Sequence, residues 1–230
     1  PRMTRELQDE GFNVGRRRTA RLMRENGLNA RPKRRFKRTT DSHHAFPIAS
    51  NLIDQDFSAE RPNQKWNADI SYVWTAEGWL YLAVILDLFA RRVVGWAVSD
   101  RLHKELALEA LGKALAIRRP GKGLVHHADR GSQYCSLAYQ AALRKHAIQI
   151  SMSGKGNCYD NAVVETFFKT LKSELVWRTV FQSRAEAKDA IGRYIDGFYN
   201  PVRRHSTLNF VSPVQFERLT TQLPNRSPLN

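Results

Sequence analysis

Three acidic side chains stand in contexts that set them apart from the rest: Asp69 in WNADISY, Asp129 in HHADRGSQY and Glu165 in DNAVVETFFKTLK. The first two fall inside or at the end of apolar, strand-like runs, and the third lies on a helical repeat. Carboxylates gathered from three such places can hold two divalent cations. A two-cation site drives in-line displacement at a phosphodiester. Spacing alone does not select these acids. Asp129 and Glu165 have 35 residues between them, but so do Asp41 and Glu77, and Asp69 and Glu105, among 22 acidic residues.

Context selects them instead. Asp69 interrupts an apolar and aromatic strand, where a lone carboxylate is costly without a cation, a donor or an exposed face. Asp129 follows Val125-His-His-Ala at a strand end, where α/β sheets tend to place their sites. Glu165 is read on a helix that carries Asn161 one turn before it, with Lys169 and Lys172 one and two turns after. Neighbours at those intervals share a helix face. A cation ligand and a contact to phosphate can therefore stand close together. His127 and Asn161 are auxiliary candidates at this site. Ser132 has no acid–base pair to activate it and is not read as a nucleophile.

The elements that must position these residues follow from hydrophobic periodicity. Lys65–Trp74 alternates as a strand. Trp79–Leu86 is a nearly unbroken apolar run, expected to be a strand buried on both faces. Arg92–Val98 is a third strand, and the short connections predict antiparallel pairing. His103–Ile117 then reads as a helix, Leu124–Asp129 as a strand, Ser136–His146 as a helix and Ile148–Met152 as a strand. Ser153–Tyr159 is expected to be a loop, Asp160–Val176 a long helix, and Arg184–Tyr199 another that Asn200-Pro201 ends. The expected fold is α/β, a mixed five-stranded sheet flanked by helices in the RNase H-like layout. Trp66, Trp74, Trp79 and Trp96 are expected in the core rather than stacked on bases.

Charge is concentrated at the start. Residues 1–40 hold 13 basic and 4 acidic residues, a net +9 of the whole chain's +15. Two short helices are expected there, with Gly11 and Gly15 punctuating the first and Gly27 ending the second. A dense basic run follows, with Arg31, Lys33, Arg34, Arg35, Lys37 and Arg38 around Phe36. A small helical DNA-binding element with a basic arm is the reading this supports. The expected division is residues 1–45 for that element, 46–62 for a linker and 63–223 for the catalytic domain. Arg203, Arg204 and His205 are further candidates for phosphate contact.

The hydrophobic content of 42% suffices for a packed core and argues against a disordered basic chain. No apolar stretch is long enough to span a bilayer, and no signal peptide is visible. The two cysteines, Cys135 and Cys158, suit a reducing compartment without a disulfide framework. His43 and His44 lack a cysteine pair to complete a zinc site. The chain starts at Pro1 rather than Met, as a piece of a longer protein would.

From Asn63 to Glu217 the chain resembles the catalytic part of IS3-family insertion-sequence transposases, a branch of the DDE transposase and retroviral integrase superfamily. The residues that carry this are Trp66-Asn-Ala-Asp-Ile-Ser-Tyr72, His126-His-Ala-Asp-Arg-Gly-Ser-Gln-Tyr134, Gly156-Asn-Cys-Tyr-Asp-Asn-Ala162 through Glu165, Lys172, and His205-Ser-Thr-Leu208 through Ser212-Pro-Val-Gln-Phe-Glu217. Ala128 stands where the family commonly has Ser. The basic segment before Asn63 resembles the family's helix-turn-helix region.

The resemblance implies that Asp69, Asp129 and Glu165 are catalytic and hold two Mg²⁺ or Mn²⁺ ions, and that Lys172 and Lys169 meet DNA near the transposon tip. It implies strand cleavage followed by strand transfer, DNA as partner, a homo-oligomer joining two ends, an upstream OrfA-type partner, and a cytoplasmic, nucleoid-associated bacterial setting. Two other readings stay open: a nuclease of the same fold that cleaves and never joins, and a catalytically silent DNA-binding regulator.

Overall fold

The computed structural model describes residues 1–28, 47–154 and 157–221. The basic run Arg31, Lys33, Arg34, Arg35, Lys37 and Arg38, and the pair His43 and His44, lie outside the described residues.

Strands β1 (Lys65–Thr75), β2 (Gly78–Asp87) and β3 (Arg92–Ser99) form an antiparallel meander. Gly78 sits at φ 103° in the tight β1–β2 connection, a backbone state that glycine adopts without steric cost. Helix α3 (Lys104–Arg118) leads to β4 (Val125–Ala128), and α4 (Ser132–Cys135) with α5 (Leu137–Lys145) leads to β5 (Gln149–Met152). β4 pairs parallel to β1, and β5 parallel to β4. Parallel neighbours need crossovers, which the helices supply. The strand order is β3-β2-β1-β4-β5, so β1 is central.

Alternation along the strands builds two apolar layers. Trp66, Ala68, Ala83 and Ile85 pack with Leu111 of α3 and Leu143 of α5 on one face. Val73, Leu82, Val84 and Leu86 pack on the other with α6 (Ala162–Glu174) and α7 (Arg184–Gly192). Both faces of β2 are thus buried, as its unbroken apolar run predicts. α3 approaches β3 so closely that a Cβ on Gly95 would meet the Ala114 Cβ at 2.7 Å. No larger residue fits there without moving the helix.

The structure departs from the expected elements at several places. The helix read over Asp160–Val176 is broken: a 3₁₀ turn spans Cys158–Asn161, α6 follows, and a second 3₁₀ turn spans Val176–Arg178. α7 continues as a π-helical stretch, Arg193–Tyr199. It delivers Asn200 to β3, where its side-chain amide exchanges two 3.0 Å hydrogen bonds with the Val93 backbone. Trp66 is buried and Trp96 half-buried, but Trp74 and Trp79 are exposed. They occupy the tip of the β1–β2 hairpin, outside both apolar layers, so the expectation of a core role for these two is corrected.

Helices α1 (Arg2–Asp9) and α2 (Arg16–Glu25) form the N-terminal pair. α1 docks through ions: Arg2 to Glu174 at 3.0 Å, and Arg204 to Glu6 and Asp9. Residues 47–62 carry no regular element but are fastened beside β5. The Met152 N–H donates to the Ser50 carbonyl at 3.2 Å, and the Leu52 N–H to Ser151 Oγ at 2.8 Å. The last element is α8 (Pro213–Thr221), where Glu217 pairs with Arg92 and Arg118.

Candidate active site

Register brings the first two acids together. Ala68 of β1 pairs with Ala128 of β4 in parallel; Asp69 is the next residue of β1, and Asp129 the first residue past the end of β4. Trp66 and Ala68 face the α3 layer, so Asn67 and Asp69 face α6.

The third acid arrives on α6, whose first turn is latched to β1. Asn67 is fully buried. Its amide donates to Asn161 Oδ1, and its carbonyl oxygen accepts from the Val164 N–H at 3.1 Å. Asn161 Nδ2 in turn reaches the Ala68 carbonyl at 3.4 Å. Glu165 follows Val164 directly, so the latch sets its height above Asp69.

Asp69 feels the charge of both other acids. Asp69 is partly exposed by surface area, yet its carboxyl has lost most of its hydration. Its pKa is raised well above the usual carboxylate value, first by this desolvation, then by the charge of Asp129, with Glu165 adding to it. Lys172 acts the other way on Asp69. Burial lowers the pKa of this lysine, while the Asp69 charge opposes that shift. Asp129 Oδ1 accepts from the Gly131 N–H at 2.9 Å, and a Cβ at Gly131 would stand 3.0 Å from that oxygen. Glycine therefore allows the turn to wrap the carboxylate.

Asp69 and Asp129 line a pocket of about 370 Å³ with Tyr72, Trp79, Gln133 and Tyr134. The Tyr134 hydroxyl is buried there without a hydrogen-bond partner. Oxygen-only donors carrying concentrated negative charge fit a hard divalent cation. The arrangement is open, however. Among the described residues no three His, Cys, Asp or Glu side chains already clasp a common point. Glu165 instead leans to Lys169 at 3.4 Å.

The remaining candidates are placed as follows. Lys169 and Lys172 lie on α6 beside the acids. His127 is buried, with Nδ1 at 2.8 Å from Ser151 Oγ and Nε2 at 3.2 Å from Ser153 Oγ. Burial lowers its pKa to about 4, so it is neutral at pH 7. Asn161 precedes α6 and turns down to Asn67, rather than sharing the helix face of Glu165. Arg203 is held by Glu174 at 2.8 Å, Arg204 by Glu6 and Asp9, and the half-buried His205 by Arg203. All three have protein partners, with which a phosphate would have to compete. Asn67, Gly131 and Tyr134 were missed from sequence. Only their position inside the WNADISY and HHADRGSQY phrases pointed to them.

Comparison with known proteins places this geometry. Residues 59–158 and 146–213 each match an "Integrase core domain" family, and residues 1–36 match an "HTH-like domain". The chain is 47% identical over 222 residues to the insertion element IS600 uncharacterized 31 kDa protein of Shigella sonnei, covering 96% of this chain and 82% of that one. It is 46% identical over 217 residues to the transposase InsF for insertion sequence IS3A of Escherichia coli K12, covering 94% and 75%. The chain belongs to the IS3-family insertion-sequence transposases. It is thus a polynucleotidyl transferase of DNA transposition, built on an integrase core with an HTH-like region before it.

The fold also matches solved structures. One is a chain of the simian T-cell lymphotropic virus intasome solved with PP2A regulatory subunit B56 gamma. Its identity is 20% and its TM-score 0.59, covering 83% of this chain and 64% of that one. Another is the HTLV-2 integrase catalytic core domain in complex with magnesium, at 15% identity and TM-score 0.53, covering 70% and 99%. Among the described residues of this transposase, no helix is long and apolar enough to cross a membrane.

Proposed function

We propose that Asp69, Asp129 and Glu165 are the catalytic carboxylates with which this transposase cuts and joins the strands of its insertion sequence. The observation that carries this reading is the adjacency of the three acids, produced by parallel register for two and by the Asn67 latch for the third. The donor set fits Mg²⁺ or Mn²⁺, two ions held by these three residues. When bound, such ions activate an attacking oxygen and stabilise a leaving one.

The chain's own residues do the rest. Lys172 and Lys169 draw the scissile phosphate towards the acids by charge. Gly131 and its turn hold Asp129 in place, and Asn67 with Asn161 holds α6 down. His127, neutral and bonded on both sides, supports β4 from below and transfers no proton. With water as nucleophile the DNA product is a nick with a free 3′-OH. With that 3′-OH as nucleophile the product is a joined strand. The displacement requires no covalent bond to the protein, and among the described residues no side chain at the site is paired with a base that would activate it as a nucleophile.

Residues 1–45 form the DNA-reading element with Arg31, Lys33, Arg34, Arg35, Lys37 and Arg38 on phosphate, 46–62 the linker, and 63–223 the catalytic domain. Two ends must meet, so a homo-oligomer assembles on DNA, with an OrfA-type partner for end recognition, on the bacterial nucleoid. The test is cleavage and joining of labelled DNA carrying the element's ends, with Mg²⁺ or Mn²⁺, beside Glu165→Gln. Joined product made by the wild type and lost in the variant is the expected result. Binding by both proteins with no cleavage by either would instead favour a silent DNA-binding regulator.

A further inference from the structure

The tip of the β1–β2 hairpin carries aromatic rings that no apolar layer uses. Register sets Tyr72 opposite Tyr81 and Trp74 opposite Trp79, with all four on one face. Trp74 is 59% exposed and Trp79 43%. They are nevertheless ordered against each other. The Trp74 and Trp79 rings meet edge-on at 4.8 Å, and the Tyr72 and Trp79 rings at 4.9 Å. The hairpin beneath is braced: Thr75 Oγ1 donates to the Gly78 carbonyl at 2.8 Å, and Arg184 Nε donates to the Trp79 carbonyl at 3.1 Å. The result is a rigid aromatic shelf in water, a costly arrangement for side chains with so much apolar surface.

Position and charge say what the shelf takes. Tyr72 and Trp79 line the same pocket as Asp69 and Asp129. Lys172 Nζ lies 4.9 Å over the Tyr72 ring and interacts with Asp69, so one cation adjoins both the aromatic surface and the acids. β4 ends at Ala128, and from Asp69 onward β1 runs on without it towards the hairpin tip. By alternation the rings lie on the face opposite the one that Asp69 takes, and they reach the pocket of the acids around this open edge of β1. A planar, apolar face adjoining a cation matches a nucleotide: base on the rings, phosphate on the lysine. Inside a duplex both faces of a base pair are covered, so an internal base offers its face to a sheet surface only after leaving the stack.

We propose that Trp79, with Trp74 and Tyr72, is a stacking platform for an unpaired nucleobase next to the phosphodiester under attack. This rests on the transposase reading of the same pocket. The platform lets the protein select DNA ends that are frayed or readily opened, and it holds the reacting strand apart from its complement. Stacking tolerates any base, so the selection is for strand opening rather than for sequence.

The test uses two probes: a blunt duplex of random sequence, and the same duplex ending in three unpaired nucleotides that include 2-aminopurine. Binding is read by anisotropy in Ca²⁺, without turnover. The wild type is expected to bind the frayed probe about tenfold more tightly than the blunt one and to quench the 2-aminopurine. Trp79→Ala is expected to lose the tenfold difference between the two probes. Trp79→Phe is expected to retain the preference. Melting temperature and circular dichroism check each variant's fold, and both tryptophans are exposed enough to be replaced.

A frayed-end preference that survives in Trp79→Ala and Trp74→Ala, or one absent from the wild type, overturns the proposal. So does a change in oligomeric state as the sole effect of these variants, which would make the shelf a contact between copies. Strand joining is assayed separately. A preference without joining counts against the transposase reading and not the shelf, and joining without a preference does the reverse.

Discussion

Asp69 pays for its position in lost hydration and in repulsion from Asp129 and Glu165. A carboxylate crowded in this way destabilises the fold unless a cation screens it. Asp69→Asn is therefore expected to raise the melting temperature of metal-free protein by a few degrees while abolishing strand joining. Millimolar Mg²⁺ is expected to stabilise the wild type and leave the variant unmoved, since only a binder of the folded state shifts the transition. A thermal melt with and without Mg²⁺ reads both effects. No stabilisation of the wild type by Mg²⁺ or Mn²⁺ would count against the acids as ligands.

At the scale of elements, the docking of α6 on β1 is the step that completes the site. Asn67→Ala leaves the buried Val164 N–H and the Asn161 amide without their partner. The expected cost is about 1–3 kcal/mol of stability, with joining reduced well beyond what the lost folded population explains. Denaturant unfolding beside single-turnover joining separates the two. A joining rate that tracks the folded fraction would show that the latch is merely structural.

Glu174 at the other end of α6 ties three segments together, holding Arg2, Arg203 and the Tyr194 hydroxyl. Burial alone would raise its pKa. The hydrogen bonds from Arg203 and Tyr194 outweigh burial and hold it at about 2, against an ordinary 4.5. A carboxyl whose pKa is depressed by folding stabilises the fold above the unfolded value, and that stability is lost as pH falls from about 4.5 towards 2. Glu174→Gln should lower stability at pH 7 and flatten the decline over that window. Equal acid limbs in variant and wild type would refute this.

Across the whole molecule the governing quantity is charge. The net +15 makes DNA affinity depend steeply on salt, because each phosphate neutralised releases counterions. Replacing the six basic residues between Arg31 and Arg38 with Gln should weaken binding to all sequences alike. It should also reduce the slope of log affinity against log salt by as much as about 5. An unchanged slope would place the DNA contacts elsewhere. The N-terminal pair is held to the core by Arg2 and Arg204 through exposed ion pairs, each weak alone and screened by salt.

The sequence by itself determined the element order and the mixed sheet, and it singled out three acids as candidates. Each rests on a local property: the apolar run of β2 predicts burial on both faces, and a carboxylate in WNADISY is anomalous whatever surrounds it. What only the tertiary structure decided was adjacency. Residue types do not say that Ala68 pairs with Ala128, that Asn161 leaves the helix to meet Asn67, or that Arg203 and Arg204 are consumed by Glu174, Glu6 and Asp9. Nor do they say that Trp74 and Trp79 fall outside both apolar layers while Trp66 lies within one. An aromatic residue on a strand reads the same in either place. Whether it meets a helix or water depends on partners far away in the chain, and only the packed fold brings those together.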